Sequence, residues 1–260
     1  MFQDFHMHAN PFAEQPPVET IQKDERFSQG LARLNYFLTD GILALLIGMT
    51  GVGKSTLLKL FMHSLPRNKV VLVAMHMTNI SAKGVLRMLV NGLGEVPKIG
   101  KDRLFLQIMD KTSKSDLPIL VVIDEAHLLP PEALVDLRLL VSGTQNQALK
   151  IILCGQETLR NRLRQDTHAD LAQRINVAYN LHPLTKEQTM TYIDARLRAC
   201  GGSEKLFDSE AKGLIHGYAR GIPRQINKIA VACLLNAAAK KEQRITENHV
   251  EMTISETFLT

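Results

Sequence analysis

The sequence contains 260 residues, of which 45% are apolar and 22% charged, and its formal net charge is +5. This length allows one complete α/β core with a smaller attached domain, and the mildly basic surface permits nucleic acid or an anionic membrane as a partner without requiring either. Three well-separated cysteines exclude a disulfide framework, and the lack of a secretory signal or of an apolar run near the about 20 residues of a membrane span predicts a cytoplasmic protein with no membrane segment.

Short apolar runs alternate with helical patterns along most of the chain. The first helix is predicted over 25–38, where Phe27, Leu31, Leu34 and Leu38 recur at helical spacing. The strand candidates are the apolar runs 42–47, 70–74, 119–123, 151–153 and 177–181. The intervening helices are predicted over 55–65, 85–89, 103–111, 132–141 and 159–164. This alternation predicts an α/β fold with a parallel five-stranded sheet covered by helices.

The pattern changes near Pro183, where the strand-like runs stop. Thr185 and Gln188 have the spacing of a helix capping box, Gly221 ends a later helix, and Pro223 stands where a first helical turn tolerates proline. We therefore predict a small all-helical lid domain after the sheet domain. The predicted divisions are an extended lead-in over 1–24, the nucleotide-binding domain over 25–183 and the lid over 184–260.

A glycine-rich segment joins the first strand to the helix after it and matches the P-loop pattern G-x-x-x-x-G-K-[ST]. Its glycines let main-chain N–H groups turn inward on phosphates, where a Cβ atom would block the approach. Lys54 is predicted to contact the β and γ phosphates of ATP, and the Ser55 hydroxyl to bind Mg²⁺. The predicted nucleotide-binding residues are Gly48, Met49, Thr50, Gly51, Val52, Gly53, Lys54, Ser55 and Thr56.

The apolar run 119–123 leads into two carboxylates, Asp124 and Glu125, as in a Walker B element. Asp124 is predicted to hold Mg²⁺ through water, and Glu125 to polarise the water that attacks ATP. The alternative is a solvated turn leading into Pro130. With Ala126 and His127 the acids also spell the box of DEAH helicases, but the helical residues after Pro183 cannot form the second α/β lobe that such helicases need.

Several segments together resemble ExeA-type AAA+ ATPases and their transposition relatives, the TniB, TnsC, MuB and IstB proteins. The resemblance covers nearly the whole chain. Its segments are Asn10-Pro11-Phe12, the P-loop, Asp124-Glu125-Ala126-His127, the strand to Gln156, Gln173-Arg174-Ile175 and Gly221-Ile222-Pro223-Arg224.

This resemblance implies three further catalytic residues. Arg224 occupies the position of the sensor 2 arginine, which touches the γ-phosphate in its own subunit. Arg174 resembles the arginine finger that reaches the nucleotide of a neighbouring subunit, and Gln156 lies in the sensor 1 region near the attacking water. Fixed guanidinium groups stabilise the charge that develops on a transferred phosphate. The alternative for each arginine is an ordinary solvated side chain.

Two biological roles follow from the resemblance. The first is an ATP-dependent regulator of DNA transposition, which assembles as a homo-oligomeric ring or filament on double-stranded DNA and recruits or stimulates a transposase. The second is the cytoplasmic ATPase of a secretin-assembly system, whose members continue into a transmembrane helix and a periplasmic module. Because the chain ends at Thr260, just after the predicted lid, we expect the first role.

DNA contacts in the transposition relatives come from basic and polar side chains lining the channel of the oligomer. The residues of this chain at such positions are Thr78, Asn79, Ser81, Lys83 and Arg87, and a second basic stretch that could contact DNA contains Lys98, Lys101 and Arg103. Contacts of this kind would be independent of DNA sequence and sensitive to salt. The alternative is a solvated helix face. Arg160, Arg162 and Arg164 are assigned either to DNA or to the nucleotide of a neighbouring subunit.

Overall fold

The structure is a computed structural model that describes residues 2–66, 68–144 and 148–257. Its strands are β1 (Leu43–Gly48), β2 (Val71–His76), β3 (Ile119–Asp124), β4 (Leu149–Gly155) and β5 (Ile175–Leu181). The helices up to β5 are α1 (Glu25–Asp40), α2 (Lys54–Ser64), α3 (Ala82–Gly92), α4 (Lys101–Ser113), α5 (Pro131–Gly143), α6 (Glu157–Leu163) and α7 (Ala169–Ala172). After β5 follow α8 (Lys186–Ala199), α9 (Ser209–Ala219), α10 (Pro223–Lys240) and α11 (Glu247–Thr257).

The five strands form one sheet in the order β2-β3-β4-β1-β5, and every neighbouring pair is parallel. β1, β3 and β4 are the interior strands, and their side chains are buried almost throughout because helices cover both faces of a parallel sheet. This arrangement confirms the predicted fold class. It also brings the carboxyl ends of β1, β3 and β4 together at one edge, where parallel sheets bind ligands.

The chain divides into two compact units. One unit consists of Phe27–Thr50 and Lys54–Leu181 and contains the sheet. The other, called the helical unit below, consists of Met1–Arg26, Gly51–Gly53 and His182–Thr260. The start of the helical part after β5 therefore lies within two residues of the predicted division at Pro183.

The N-terminal segment differs from the predicted extended lead-in, because it contributes to the core of the helical unit. Phe5, Met7 and Phe12 are buried there among the side chains of α8 to α11. The Asn10 side chain accepts a hydrogen bond from the Phe12 amide at 2.9 Å and closes a short turn. The Phe12 ring then packs edge-on against Phe207, with centroids 6.1 Å apart. The segment lacks periodicity because side chains distant in sequence, and not its own regular structure, hold it in place.

Local signals explain the ends of the helices in the helical unit. The Thr185 hydroxyl accepts from the Gln188 amide, and the Gln188 side chain accepts from the Thr185 amide, which is the predicted capping box at the start of α8. Pro223 is the first residue of α10, so its missing N–H removes no intrahelical bond. The turn before Pro223 is therefore well defined, and it carries Arg224 at the start of α10.

Candidate functional site

The P-loop follows β1 directly, and its lysine is held inside the loop. The Lys54 side chain is 5% exposed and donates hydrogen bonds to Gly48 O at 2.9 Å and Met49 O at 3.0 Å. Gly51 and Gly53 have φ values of +80° and +109°, which side chains rarely adopt. These two glycines allow the loop to curl over the start of α2, whose first N–H groups and dipole favour an anion.

Ser55 and Asp124 meet at the edge formed by the ends of β1 and β3. Ser55 Oγ donates to Asp124 Oδ2 at 2.6 Å, and the Glu125 main-chain N–H donates to Asp124 Oδ1 at 2.9 Å. Both oxygens of the carboxylate are therefore oriented. His76, at the end of β2, places Nδ1 3.8 Å from the same carboxylate.

The buried Cys154 thiol lies near the carboxyl end of β4 and contacts Asp124. Burial raises the pKa of the Cys154 thiol well above its ordinary value, and the Asp124 carboxylate raises it further through its charge and a hydrogen bond. The thiol is thus protonated at neutral pH and donates to Asp124. The sequence indicates only a small core residue at this position.

Glu125 has a left-handed backbone, with φ 54° and ψ 35°. This conformation costs an ordinary side chain about 1 to 2 kcal/mol, and the bond from its N–H to Asp124 Oδ1 offsets part of that cost. The chain then enters a 3-10 turn over Ala126–Leu128. This turn brings His127 Nδ1 to 3.3 Å from Glu125 Oε2.

Gln156 reaches the site through His127. Its side-chain nitrogen lies 3.0 Å from His127 Nε2, and no hydrogen bond joins Gln156 to Glu125 within the described residues. The Arg162 guanidinium donates from Nη1 to the His127 carbonyl oxygen at 2.9 Å. Two residues that follow β4, Gln156 and Arg162, therefore contact His127. The sequence does contain a signal for this contact, because an acid and a histidine follow β3 and an amide side chain follows the adjacent strand β4.

Arg224 lies beside the P-loop glycines within the helical unit. Its main-chain N–H donates to Gly51 O at 3.2 Å. A Cβ atom at Gly51 would lie 2.8 Å from Arg224 Cβ, so the contact depends on glycine. The Arg224 side chain is exposed, and among the residues described its guanidinium has no hydrogen-bond or ion-pair partner.

Arg174 lies at the amino-terminal end of the strands, whereas the P-loop lies at their carboxyl end. It precedes β5, whose residue Ile175 pairs with Leu43 at the start of β1, whereas Gly48 at the end of β1 pairs with Leu181. The five steps between the six residues from Leu43 to Gly48 span about 16 Å at about 3.3 Å each. Arg174 is half-buried, and in the described chain its guanidinium has no partner. It is therefore too far along the sheet to serve the P-loop of its own chain.

The predicted DNA contacts fall into two groups. Thr78, Asn79, Lys83 and Arg87 are exposed between the end of β2 and the middle of α3. Lys98 and Lys101 lie beyond the other end of α3, which is 11 residues, or about 16 Å, long. Lys101 Nζ is 2.8 Å from the buried Asp136 carboxylate, so its charge is already paired, while Lys83 and Arg87 form no ion pair within the described residues.

The three arginines in and just after α6 differ in their contacts. Arg160 pairs with Glu157 at 2.9 Å, Arg162 donates to His127, and Arg164 is exposed. Ser81, one of the predicted DNA contacts, caps α3 by accepting from the Gly84 amide at 3.2 Å. Three of these side chains, Arg160, Arg162 and Ser81, thus have partners within the chain.

The residues at this edge fit a magnesium-bound nucleoside triphosphate. Gly51 and Gly53 have the positive φ values that shape the P-loop, and the Lys54 ammonium lies within the loop. The two oxygen groups predicted to bind the metal are 2.6 Å apart, and Mg²⁺ prefers a few such oxygens together with phosphate and water. In the described parts of the chain there is no cluster of three or more His, Cys, Asp or Glu residues that could hold a metal by protein ligands alone.

Comparisons with known proteins agree with this geometry. The sequence matches the family model of the AAA domain over residues 39–163. General secretion pathway protein A of Aeromonas hydrophila is 30% identical over 263 residues, which cover 98% of this chain and 48% of that protein. The chain thus spans about half the length of this relative. No helix among the described residues has the length and apolar character needed to cross a membrane.

Solved structures share the fold at low sequence identity. Cdc6p from Pyrobaculum aerophilum has a TM-score of 0.75 and 18% identity, over 95% of this chain and 70% of that one. ORC1 of Aeropyrum pernix, solved in complex with DNA, has a TM-score of 0.72 and 15% identity, over 96% of this chain and 69% of that one. The Thermotoga maritima RuvB Holliday junction branch migration motor has a TM-score of 0.63 and 18% identity, over 94% of this chain and 72% of that one. These similarities establish the fold.

Proposed function

From the match to the AAA domain over residues 39–163 and the 30% identity to General secretion pathway protein A, we propose that this chain is an ExeA-type AAA+ ATPase that binds Mg-ATP at the loop from Gly48 to Ser55 and hydrolyses it with Glu125 as the general base. The observation that carries the proposal is the meeting of Ser55, Asp124 and the left-handed Glu125 at the edge of the sheet where the P-loop begins. Ser55 belongs to the P-loop and Asp124 lies 69 residues further along the chain, so it is the fold that brings the two oxygen groups together.

The proposed reaction assigns one task to each side chain. Glu125 accepts a proton from water as the water oxygen forms a bond to the γ-phosphorus. The bond from the γ-phosphorus to the bridging oxygen breaks, and ADP leaves with the electron pair. Lys54 holds the β and γ oxygens and Arg224 contacts the γ-phosphate, so both oppose the charge that develops. Bound Mg²⁺ would supply a Lewis acid on the phosphate oxygens, held by Ser55 and, through water, by Asp124.

Arg174 completes the site of a neighbouring copy in this proposal. Its distance along the sheet from its own P-loop and its lack of a partner in the described chain support a role in trans. Self-association would then be required for full activity. Gln156 acts on the site through His127, since its side chain contacts the histidine and not the glutamate.

The test compares Glu125→Gln with Glu132→Gln, which changes an exposed glutamate at the start of α5. Loss of a general base lowers turnover about 10² to 10⁴-fold. We expect Glu125→Gln to lose this factor in steady-state ATP hydrolysis while fluorescent ATP binds with an affinity within about threefold of the parent. Glu132→Gln should match the parent. Equal hydrolysis by parent and Glu125→Gln, or no nucleotide binding by the folded parent in calorimetry with magnesium, would refute the proposal.

For the biological role, we propose ATP hydrolysis in service of a secretion apparatus, the second of the two roles inferred from sequence. The 30% identity with General secretion pathway protein A over 98% of this chain supports it. The end of the chain at Thr260 does not weigh against it, because the chain spans about half of that relative. A secretin gene beside the gene for this chain is the expected observation, and a transposase gene in its place would argue against the secretion role.

A DNA-binding role in transposition, with a transposase as partner, is the second candidate. The observation that favours it is the exposed group of Thr78, Asn79, Lys83 and Arg87, whose two cations form no ion pair in the described chain. The test measures duplex DNA binding with ATP across a salt series. Lys83→Glu with Arg87→Glu should weaken binding and reduce its salt dependence, whereas Lys101→Ala should change neither. No binding by the parent at low salt would exclude this role and leave the ATPase proposal intact.

A further inference from the structure

We propose that His127 is a positioning residue for Glu125 and that Gln156 sets the protonation of its ring. This inference rests on the proposed function, because it assigns the control of the general base. The imidazole ring bridges the two residues, with Nδ1 3.3 Å from Glu125 Oε2 and Nε2 3.0 Å from the Gln156 side-chain nitrogen. The His127 side chain is only 13% exposed.

The contact with Gln156 determines which ring nitrogen carries the proton. An amide nitrogen donates hydrogen bonds and cannot accept them, so His127 Nε2 is the acceptor. The neutral ring then carries its proton on Nδ1, which faces Glu125. Nδ1 is buried and has no completed hydrogen bond, so the nearby carboxylate oxygen is the acceptor that a small rotation of Glu125 brings into line.

Three contacts fix the position of the histidine main chain. Arg162 Nη1 donates to the His127 carbonyl oxygen at 2.9 Å. A Cβ atom on Gly155 would lie 3.2 Å from His127 N, so β4 packs against this turn as closely as glycine permits. The Leu128 amide donates to Glu125 O at 2.9 Å and closes the turn itself. The ring therefore cannot easily leave the carboxylate.

This arrangement leaves one oxygen of Glu125 for catalysis. After that rotation of Glu125, the Nδ1–H group donates to Oε2 and holds the carboxylate in one orientation, so that Oε1 remains to accept a proton from water. A carboxylate held in one orientation loses less entropy when the reaction begins. A substitution of Gln156, which follows β4, would change the tautomer of the ring and so the orientation of the Glu125 carboxylate.

The kinetic test compares His127→Ala and His127→Asn with the parent. His127→Ala removes the donor and should lower kcat about ten- to hundredfold, with the KM for ATP within about twofold. In His127→Asn the side-chain nitrogen replaces Nδ1, and kcat should recover to within about threefold of the parent. His216→Asn, which changes a histidine bonded to Thr189 in the helical unit, is the matched control and should leave kcat unchanged.

A double-mutant comparison separates positioning from a structural role. In the Glu125→Gln background, His127→Ala should lower residual turnover by less than about twofold, because the group that it positions is gone. A full additive loss in that background, or a kcat for His127→Ala within about twofold of the parent, would overturn the inference. If the parent itself does not hydrolyse ATP, the proposed function fails and the inference fails with it.

Imidazole nitrogen spectra test the arrangement independently of turnover. Long-range proton–nitrogen NMR should show the proton of His127 on Nδ1 in the parent, with the resonance assigned by its loss in His127→Asn. In Gln156→Leu the Nε2 donor is removed, and the spectrum should shift toward the other tautomer. A parent spectrum with the proton on Nε2 would refute the inference even if His127→Ala were inactive through misfolding.

Discussion

Replacing Arg196 by alanine should destabilise the helical unit by about 3 to 4 kcal/mol. The Arg196 side chain is buried, and it donates from Nε to Pro11 O at 2.5 Å and from Nη2 to Ala13 O at 2.7 Å. Each hydrogen bond from a charged donor contributes about 1.5 kcal/mol at the low end of its range. The guanidinium also lies 5.7 Å from the Tyr192 ring centre, worth about 0.5 kcal/mol or more.

The matched control is Arg198→Ala, two positions along the same helix. Arg198 donates from Nε to Glu204 at 2.6 Å, but its side chain is 67% exposed. Exposed ion pairs contribute about 0 to 1 kcal/mol, so the control should stay within 1 kcal/mol of the parent. Each variant removes one arginine from α8, but only Arg196→Ala removes the hydrogen bonds that attach the N-terminal segment.

Urea unfolding followed by circular dichroism gives the free energies, and hydrogen exchange gives the location. In Arg196→Ala the amide of Phe12, which donates to Asn10, should exchange faster than in Arg198→Ala. Equal free energies of unfolding for the two variants, within about 0.5 kcal/mol, would refute the assignment of Arg196 as the attachment. Unchanged exchange at Phe12 alongside a large loss of stability would show that the loss arises elsewhere in the unit.

The remaining predictions concern three separate features. Arg174→Ala should lower ATP hydrolysis about a hundredfold or more without weakening ATP binding to the isolated chain, measured by turnover and by fluorescent nucleotide titration; full activity would exclude its role in trans. At pH 8 iodoacetamide should label Cys200 well before the buried Cys154, whose thiol pKa is raised, as read by mass spectrometry; fast labelling of Cys154 in folded protein would contradict its burial. Gly221→Ala should lower the free energy of unfolding by about 3 kcal/mol in the same urea assay, because its φ is +68° and a Cβ would overlap a main-chain carbonyl. Gly217→Ala, in an open helical position, should raise the free energy of unfolding by up to about 1 kcal/mol.

The strands could be predicted from sequence to within two residues, because their signal is local. An interior parallel strand is apolar on both faces, so the runs that become β1, β3 and β4 stand out without knowledge of their neighbours. Helix α3 was predicted only over 85–89, its most regular part, but it extends over Ala82–Gly92 because Ser81 caps it. Ser81 has no glutamate or glutamine three residues later to complete a capping box, unlike Thr185 with Gln188, so its capping role has a weaker sequence signal.

The N-terminal segment and His127 could not be predicted from local pattern. Pro11 and Ala13 are held by Arg196, 183 or more residues away in sequence, so no window of the sequence contains both partners. His127 and Gln156 are 29 residues apart in the chain, and they meet because β3 and β4 are neighbours in the sheet. The P-loop and the two acids could be predicted because each is contained within eight consecutive residues.

The parallel direction of all five strands has a consequence for assembly. The phosphate-binding end and the end that carries Arg174 are different poles of one sheet, so a chain presents an acceptor at one pole and a donor at the other. Two copies facing each other across a dyad would bring like poles together and leave each guanidinium without a triphosphate to reach. If Arg174 acts between copies, they must therefore stack head to tail, and every added copy exposes another incomplete site until the series closes on itself or continues as a helix.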